Sequence, residues 1–166
     1  MKISEAIDET LRALIERVLK NDPEGTARVI ERAGPEAYEQ VASLATEASA
    51  YVALHLAKRW PLGTDLKTIA DSTASAIPGV PVTAKDVHTF LARSVFGDEP
   101  VANVFKDNEE GPFIPVYALA SLLISFKSPK DRGWNAWLDV IEDAIEQARQ
   151  IPDAVLPAAA YRHQKK

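Results

Sequence analysis

The sequence predicts an all-α protein, a single-domain irregular bundle of six or seven helices with a central apolar helix. Three observations support this prediction. Apolar residues recur at helical spacing in five segments, proline or glycine separates those segments, and no stretch alternates as a β-strand does. The nearest candidate for a strand, "GVPVT", is too short and too rich in proline for a central position in a sheet.

The first helix is predicted from Ser4, a suitable N-cap, to about Lys20. "NDPEG" then interrupts the chain, and Asp22–Pro23 begins a short second helix. Gly34–Pro35 ends that helix and starts the next, because glycine is favoured just past a helix end and proline just inside a helix start. The inner face of the first helix is formed by Ile7, Leu11, Leu14, Ile15, Val18 and Leu19.

The third helix is predicted to be the longest, from about Pro35 to Trp60, and it is rich in alanine. Small residues on its inner face would let neighbouring helices approach closely, which favours a central position. Pro61 and Gly63 end it, and Thr64 or Asp65 caps a fourth helix. The apolar face of the fourth helix is formed by Leu66, Ile69, Ala70, Thr73, Ala74 and Ile77.

The fifth helix follows "PGVP" and begins at Thr83, with Asp86 three residues later. This spacing resembles a capping box in which aspartate replaces the usual glutamate or glutamine. Val87, Phe90, Leu91 and Val95 form the inner face, and Gly97 ends the helix. The next stretch, "DEPVANVFKDNEEGP", is the least regular part of the chain and is predicted to form one or two helical turns.

The central helix is predicted from Phe113 to about Lys127 and contains the longest apolar run, the fourteen residues 113–126. A bilayer-spanning helix needs about 20 residues, so this run predicts a buried core helix with Leu119, Leu122, Leu123 and Phe126 inside. Ser128–Pro129 begins the last helix, which Pro152 closes. We therefore expect one helical domain over residues 1–151 and a flexible C-terminal tail over residues 152–166.

Composition and charge favour a soluble, cytoplasmic protein without a membrane partner, and another protein is the partner that we predict. The 166 residues include no cysteine, which excludes disulfides and fits a reducing compartment. The net charge is −5 and no section of the chain is basic, which disfavours nucleic acid and anionic membranes as partners. The identity of the partner and the oligomeric state do not follow from the sequence.

Motifs for catalysis, cofactors and metals are missing from the sequence. There is neither a glycine-rich nucleotide loop nor a G-x-S-x-G nucleophile elbow. The loop Lys106–Gly111 fails as a calcium loop, because Lys106 stands where the first aspartate ligand belongs. Three histidines without a metal-binding spacing favour a structural role for His55. We predict no catalytic, cofactor or metal site, although an active site dispersed along the chain stays open.

The helix pair over residues 64–96 has the outline of a helix-turn-helix. Its outer face offers four residues that could contact nucleic acid: Lys85, His88, Thr89 and Arg93. A helix that reads DNA needs phosphate-binding cations around it, whereas Asp65, Asp71, Asp86 and Asp98 surround this one. The connection from about residue 77 to residue 83 also exceeds the usual turn of 3–4 residues. The pattern therefore favours packing over reading DNA.

Two features are candidates for a partner-binding surface. Trp60 stands at a helix end, where an exposed tryptophan could be a binding hot spot. The last helix carries an acidic row that is either a dock for a basic partner or a solvated face: Asp139, Glu142, Asp143 and Glu146. The leading hypothesis is a non-catalytic helical protein-interaction or regulatory module, and the alternative is a helix-turn-helix nucleic-acid binder.

Overall fold

A computed structural model describes residues 2–58, 60–74, 76–126 and 133–150. These residues form eight α-helices and no strand, which confirms the all-α bundle. The number of helices exceeds the predicted six or seven because the short turn after Pro100 forms a helix of its own. The helices are α1 (Glu5–Leu19), α2 (Pro23–Ala33), α3 (Pro35–Ala57), α4 (Gly63–Thr73), α5 (Ala84–Thr89), α6 (Val101–Val104), α7 (Ile114–Ser125) and α8 (Gly133–Arg149). The predicted tail and the Ser128–Pro129 helix start lie outside the described residues.

Side-chain and glycine caps fix several helix ends as the sequence predicts. Gly34 has a φ of 86°, a left-handed value that ends α2 and turns the chain directly into α3. Asp22 caps α2 by accepting a hydrogen bond from the Gly25 backbone at 2.9 Å. The capping box of α5 is confirmed, because the hydroxyl of Thr83 accepts from the Asp86 amide at 3.1 Å and the Asp86 carboxylate accepts from the Thr83 amide at 3.0 Å.

The bounds of α3 and α4 differ from those that the sequence predicts. α3 ends at Ala57 rather than at Trp60, because Lys58 adopts a left-handed conformation with a φ of 57°. α4 begins at Gly63, and the Asp65 carboxylate in its first turn accepts a hydrogen bond from the Leu62 amide at 2.8 Å. The N-cap is therefore Leu62, two or three residues before the predicted caps Thr64 or Asp65.

The central helix is α7, which packs against α1, α3, α4, α5 and α8. Leu119, Leu122 and Leu123 are buried as predicted, whereas Phe126 is only half-buried because the chain leaves the helix at this residue. α3 faces the same core with small side chains, which let α7 approach its backbone closely: Ala45, Ala48, Ser49 and Ala53.

The helix pair α4–α5 packs through the apolar stripe that the sequence predicts. Ile69, Ile77, Val87, Phe90 and Leu91 are buried, and Ala74 is half-buried. The chain passes from α5 directly into a π-helical turn over Phe90–Val95, in which the helix gains one residue per turn. No helix among the described residues is long and apolar enough to cross a membrane.

Candidate functional site

A groove of about 870 Å³ runs between α3 and the irregular stretch that follows α5. One wall is the N-terminal half of α3, and the other is formed by the π turn, α6 and the loop before α7. The lining residues on α3 are Pro35, Tyr38, Glu39, Ala42, Ser43 and Thr46. Those facing them include Ser94, Asp98, Glu99, Val101, Phe105, Lys106, Glu109 and Pro112.

The α3 wall is straight because its lining residues recur every three or four positions and so share one face of the helix. From Pro35 to Thr46 this face extends about 16 Å at 1.5 Å per residue. Ala42, Ser43 and Thr46 present small side chains along it. A helix face with small side chains and hydroxyl groups can accommodate an extended chain or the side of a helix.

The opposite wall includes the π turn, whose widened backbone is marked by a hydrogen bond from the Phe96 amide to the Leu91 carbonyl oxygen at 2.9 Å. Ser94 in this turn lines the groove and is 7% exposed. Its hydroxyl has no hydrogen-bond partner within the part of the chain that the structure describes. An unsatisfied buried hydroxyl costs about 1–3 kcal/mol, so Ser94 is a locally destabilising feature of this wall.

At one end of the groove, Tyr38 joins the two walls by donating a hydrogen bond from its hydroxyl to the carbonyl oxygen of Pro112. The Tyr38 ring also packs on Phe113, with centroids 6.2 Å apart. Burial, together with the nearby Tyr117, raises the pKa of the Tyr38 hydroxyl far above its usual value, so it stays protonated and can only donate here. This contact fixes the distance between α3 and the 3₁₀ turn Gly111–Phe113.

Three of the four candidate nucleic-acid residues lie on α5, and Arg93 lies on the π turn that continues it; none of the four lines the groove. Lys85 and Arg93 are exposed, whereas His88 and Thr89 are half-buried. Arg93 forms a two-pronged pair with Glu99, with Nε–Oε1 3.1 Å and Nη2–Oε2 2.6 Å. This hydrogen bonding and the opposite charges raise the pKa of Arg93 and lower that of Glu99. Arg93, one of the two cations among the four candidate residues, is therefore already paired with a carboxylate of the same chain.

Trp60 packs against the hydrophobic core, where it contacts the residue that follows the π turn. Its ring meets Phe96 edge to face, with centroids 5.3 Å apart and an interplanar angle of 77°. The side chain is half-buried and does not line the groove. Its use as a partner-binding hot spot stays a prediction.

The acidic row on α8 divides between solvent and the interior. Asp139 and Asp143 are exposed, Glu146 is half-buried, and Glu142 is 8% exposed. Glu146 accepts a hydrogen bond from the Ile3 amide at 3.0 Å. Glu142 is therefore buried, and Glu146 binds the segment that precedes α1; the use of the row as a dock stays a prediction.

Arg12 on α1 organises the contact with this row. Its guanidinium donates to Asp8 within α1 and to three residues of α8. The distances are 2.8 Å to Asp8 Oδ1, 2.9 Å to Asn135 Oδ1, 2.6 Å to Asp139 Oδ1 and 2.5 Å to Glu142 Oε1. We call Asp8, Arg12, Asp139 and Glu142 the α1–α8 charge cluster.

Two of the three carboxyls that bind Arg12, those of Glu142 and Asp8, have opposite pKa shifts. Burial raises the pKa of Glu142 to about 8, and the hydrogen bond and charge of Asp8 add to this, against the lowering effect of Arg12. Burial also acts to raise the pKa of Asp8, but its hydrogen bonds to Glu142 and Arg12 outweigh it and lower that pKa. The opposite shifts make Glu142 the member of the pair that takes up a proton first as pH falls.

Changing Glu142 to glutamine should remove a pH dependence of stability. In the range from the usual pKa of 4.5 to about 8, the folded protein keeps a proton on Glu142 that the unfolded chain releases. The free energy of unfolding should therefore fall as pH rises through this range and level off above it. Chemical denaturation at several pH values should show that the free energy of unfolding depends less steeply on pH in Glu142→Gln than in the wild type. Asp143→Asn, on the exposed side of α8, should keep the wild-type slope, and equal slopes for all three proteins would contradict the assignment.

The described residues contain no group of three or more histidine or carboxylate side chains placed to hold a metal ion. No known protein family, curated protein or solved structure matches this chain significantly. The groove is therefore interpreted from its own residues. Sequence reasoning missed it, because its walls come from stretches about 50 to 80 residues apart in the chain. The one available signal was the irregular, proline-containing stretch before α7, which forms much of one wall.

Proposed function

We propose that this chain is a non-catalytic helical module that binds another protein through the groove between α3 and the stretch that follows α5. The observation that carries the proposal is the groove itself, a cleft of about 870 Å³ in a protein whose other helices pack around one core. Pockets of about 300–1,000 Å³ are typical of ligand sites, and an elongated one along a helix suits a peptide segment.

The chemistry of the lining supports binding rather than catalysis. Its residues offer apolar surface, hydroxyls and carboxylates, and none of the lining residues is a histidine that could activate Ser43 or Ser94. The alternative of nucleic-acid binding is not favoured, because Arg93 is paired with Glu99 and the lining carries more carboxylates than cations.

A bulky side chain in the groove should abolish capture of the partner. Ser43 is exposed and lines the groove, so Ser43→Trp should block it with little effect on folding. Ser72, an exposed serine of α4 outside the groove, provides the matched control Ser72→Trp. We expect immobilised wild type and Ser72→Trp to capture the same protein from a lysate of the source cells, and Ser43→Trp to lose it.

Two outcomes would contradict the proposed function. Identical capture by all three proteins would place the contact outside the groove. Capture that disappears on nuclease treatment would indicate nucleic acid as the ligand and favour the helix pair at Lys85. Circular dichroism of each variant checks that the fold is retained.

A further inference from the structure

The dimensions of the groove limit what can occupy it. The lining face of α3 is about 16 Å long, which corresponds to about five residues of an extended chain at 3.3 Å each. Tyr38 and Pro112 are hydrogen-bonded at one end, so that end does not widen without breaking this contact. The groove therefore fits a short segment rather than a folded domain.

The charges that line the groove favour an occupant with positive charge. Five charged residues line the groove: Glu39, Asp98, Glu99, Glu109 and Lys106. Glu99 is paired with Arg93, so the charge offered to an occupant comes chiefly from Glu39 and Glu109, against the ammonium group of Lys106. All five residues are exposed at its rim. An occupant with basic side chains would meet opposite charges there, whereas an acidic one would be repelled.

The interior of the groove is less polar than its rim. Ala42, Val101 and Phe105 supply apolar surface between the walls. Ser94 lines the same space, but its hydroxyl oxygen is buried and adds no polar group to the open surface of the groove. Small apolar side chains match such a floor.

We propose that the groove binds a short peptide segment of a partner protein in which small apolar residues are flanked by lysine or arginine. This proposal rests on the proposed function and names the chemistry of the partner. The apolar residues occupy the floor at Ala42 and Val101, and the basic residues pair with rim carboxylates such as Glu39 and Glu109.

Fluorescence anisotropy with synthetic peptides tests the proposal on the full chain. The probe is a labelled peptide with a short Val/Ala stretch flanked by lysines, and the comparison peptide has glutamates in place of the lysines. We expect the lysine peptide to bind at least about tenfold more tightly than the glutamate peptide, with the difference shrinking at high salt. Glu39→Gln/Glu109→Gln should reduce this preference, whereas Glu9→Gln/Glu31→Gln, with the same change in net charge, should not.

Three results would overturn the inference. These are equal binding of both peptides, unchanged binding of the lysine peptide to Ser43→Trp, and the absence of any peptide binding. The last result would leave groove-dependent capture of a protein standing, so failure of this inference is distinguishable from failure of the proposed function. Light scattering that detects a dimer of the chain, lost in Ser43→Trp, would instead make a second copy the occupant and would also overturn the proposal.

Discussion

Replacing Leu123 by alanine should lower the free energy of unfolding by about 2–5 kcal/mol. Leu123 lies in the central helix α7 and is 3% exposed, so the substitution removes buried methyl groups and leaves a cavity among helices packed on several sides. Urea denaturation followed by circular dichroism measures the change.

The neighbouring residue supplies the control for this prediction. Ile124 is 43% exposed on the same helix, so Ile124→Ala changes a similar volume where water already reaches. Its cost should stay below about 1 kcal/mol. Similar losses for the two variants would mean that α7 is not the centre of the core.

Replacing Arg12 by alanine should cost about 3 kcal/mol. The guanidinium is the cation that joins Asp8, Asp139 and Glu142, and its removal leaves a largely buried carboxyl group without its charged partner. We expect the lower end of the range for broken buried pairs, because Glu142 can respond by staying protonated. Equilibrium denaturation near pH 7 gives the value.

Two further variants separate the charge effect from the loss of packing. Asp139 lies at the exposed edge of the α1–α8 charge cluster, so Asp139→Ala should cost no more than about 1 kcal/mol. At alkaline pH, the double variant Arg12→Ala/Glu142→Gln should recover part of the Arg12→Ala loss, because the buried side chain at position 142 can then no longer ionise. A double variant as unstable as Arg12→Ala would show that packing of the arginine stem dominates.

Local patterns were sufficient to predict most of the helices. The structure confirms the apolar stripe of α1, the apolar run of α7, the Gly34–Pro35 junction and the Thr83 capping box. Each of these patterns depends on residues a few positions apart. Even where the prediction differed, as at the end of α3, the cause is one residue, Lys58, in a left-handed conformation that lysine seldom adopts.

The features that matter for the candidate site depend on contacts that no local pattern reveals. Tyr38 and Pro112 are 74 residues apart, and Arg12 and Glu142 are 130 apart. The π turn likewise has no sequence signature, since Phe90–Val95 continues the helical stripe of α5. The acidic row on α8 illustrates the limit, because its sequence is that of a solvated face while Glu142 is buried against Arg12.

The separation of the α1–α8 contacts along the chain has a kinetic consequence. The hydrogen bonds from Arg12 and from the Ile3 amide to α8 close loops of 123 to 143 residues, whereas α1–α2 and α4–α5 are neighbours in sequence. Pairs of adjacent helices can form before such loops close, so docking of α8 on α1 belongs late in folding and early in unfolding. Interactions absent from the folding transition state mainly slow unfolding. We therefore expect a substitution of Arg12 to raise the unfolding rate more than it lowers the folding rate.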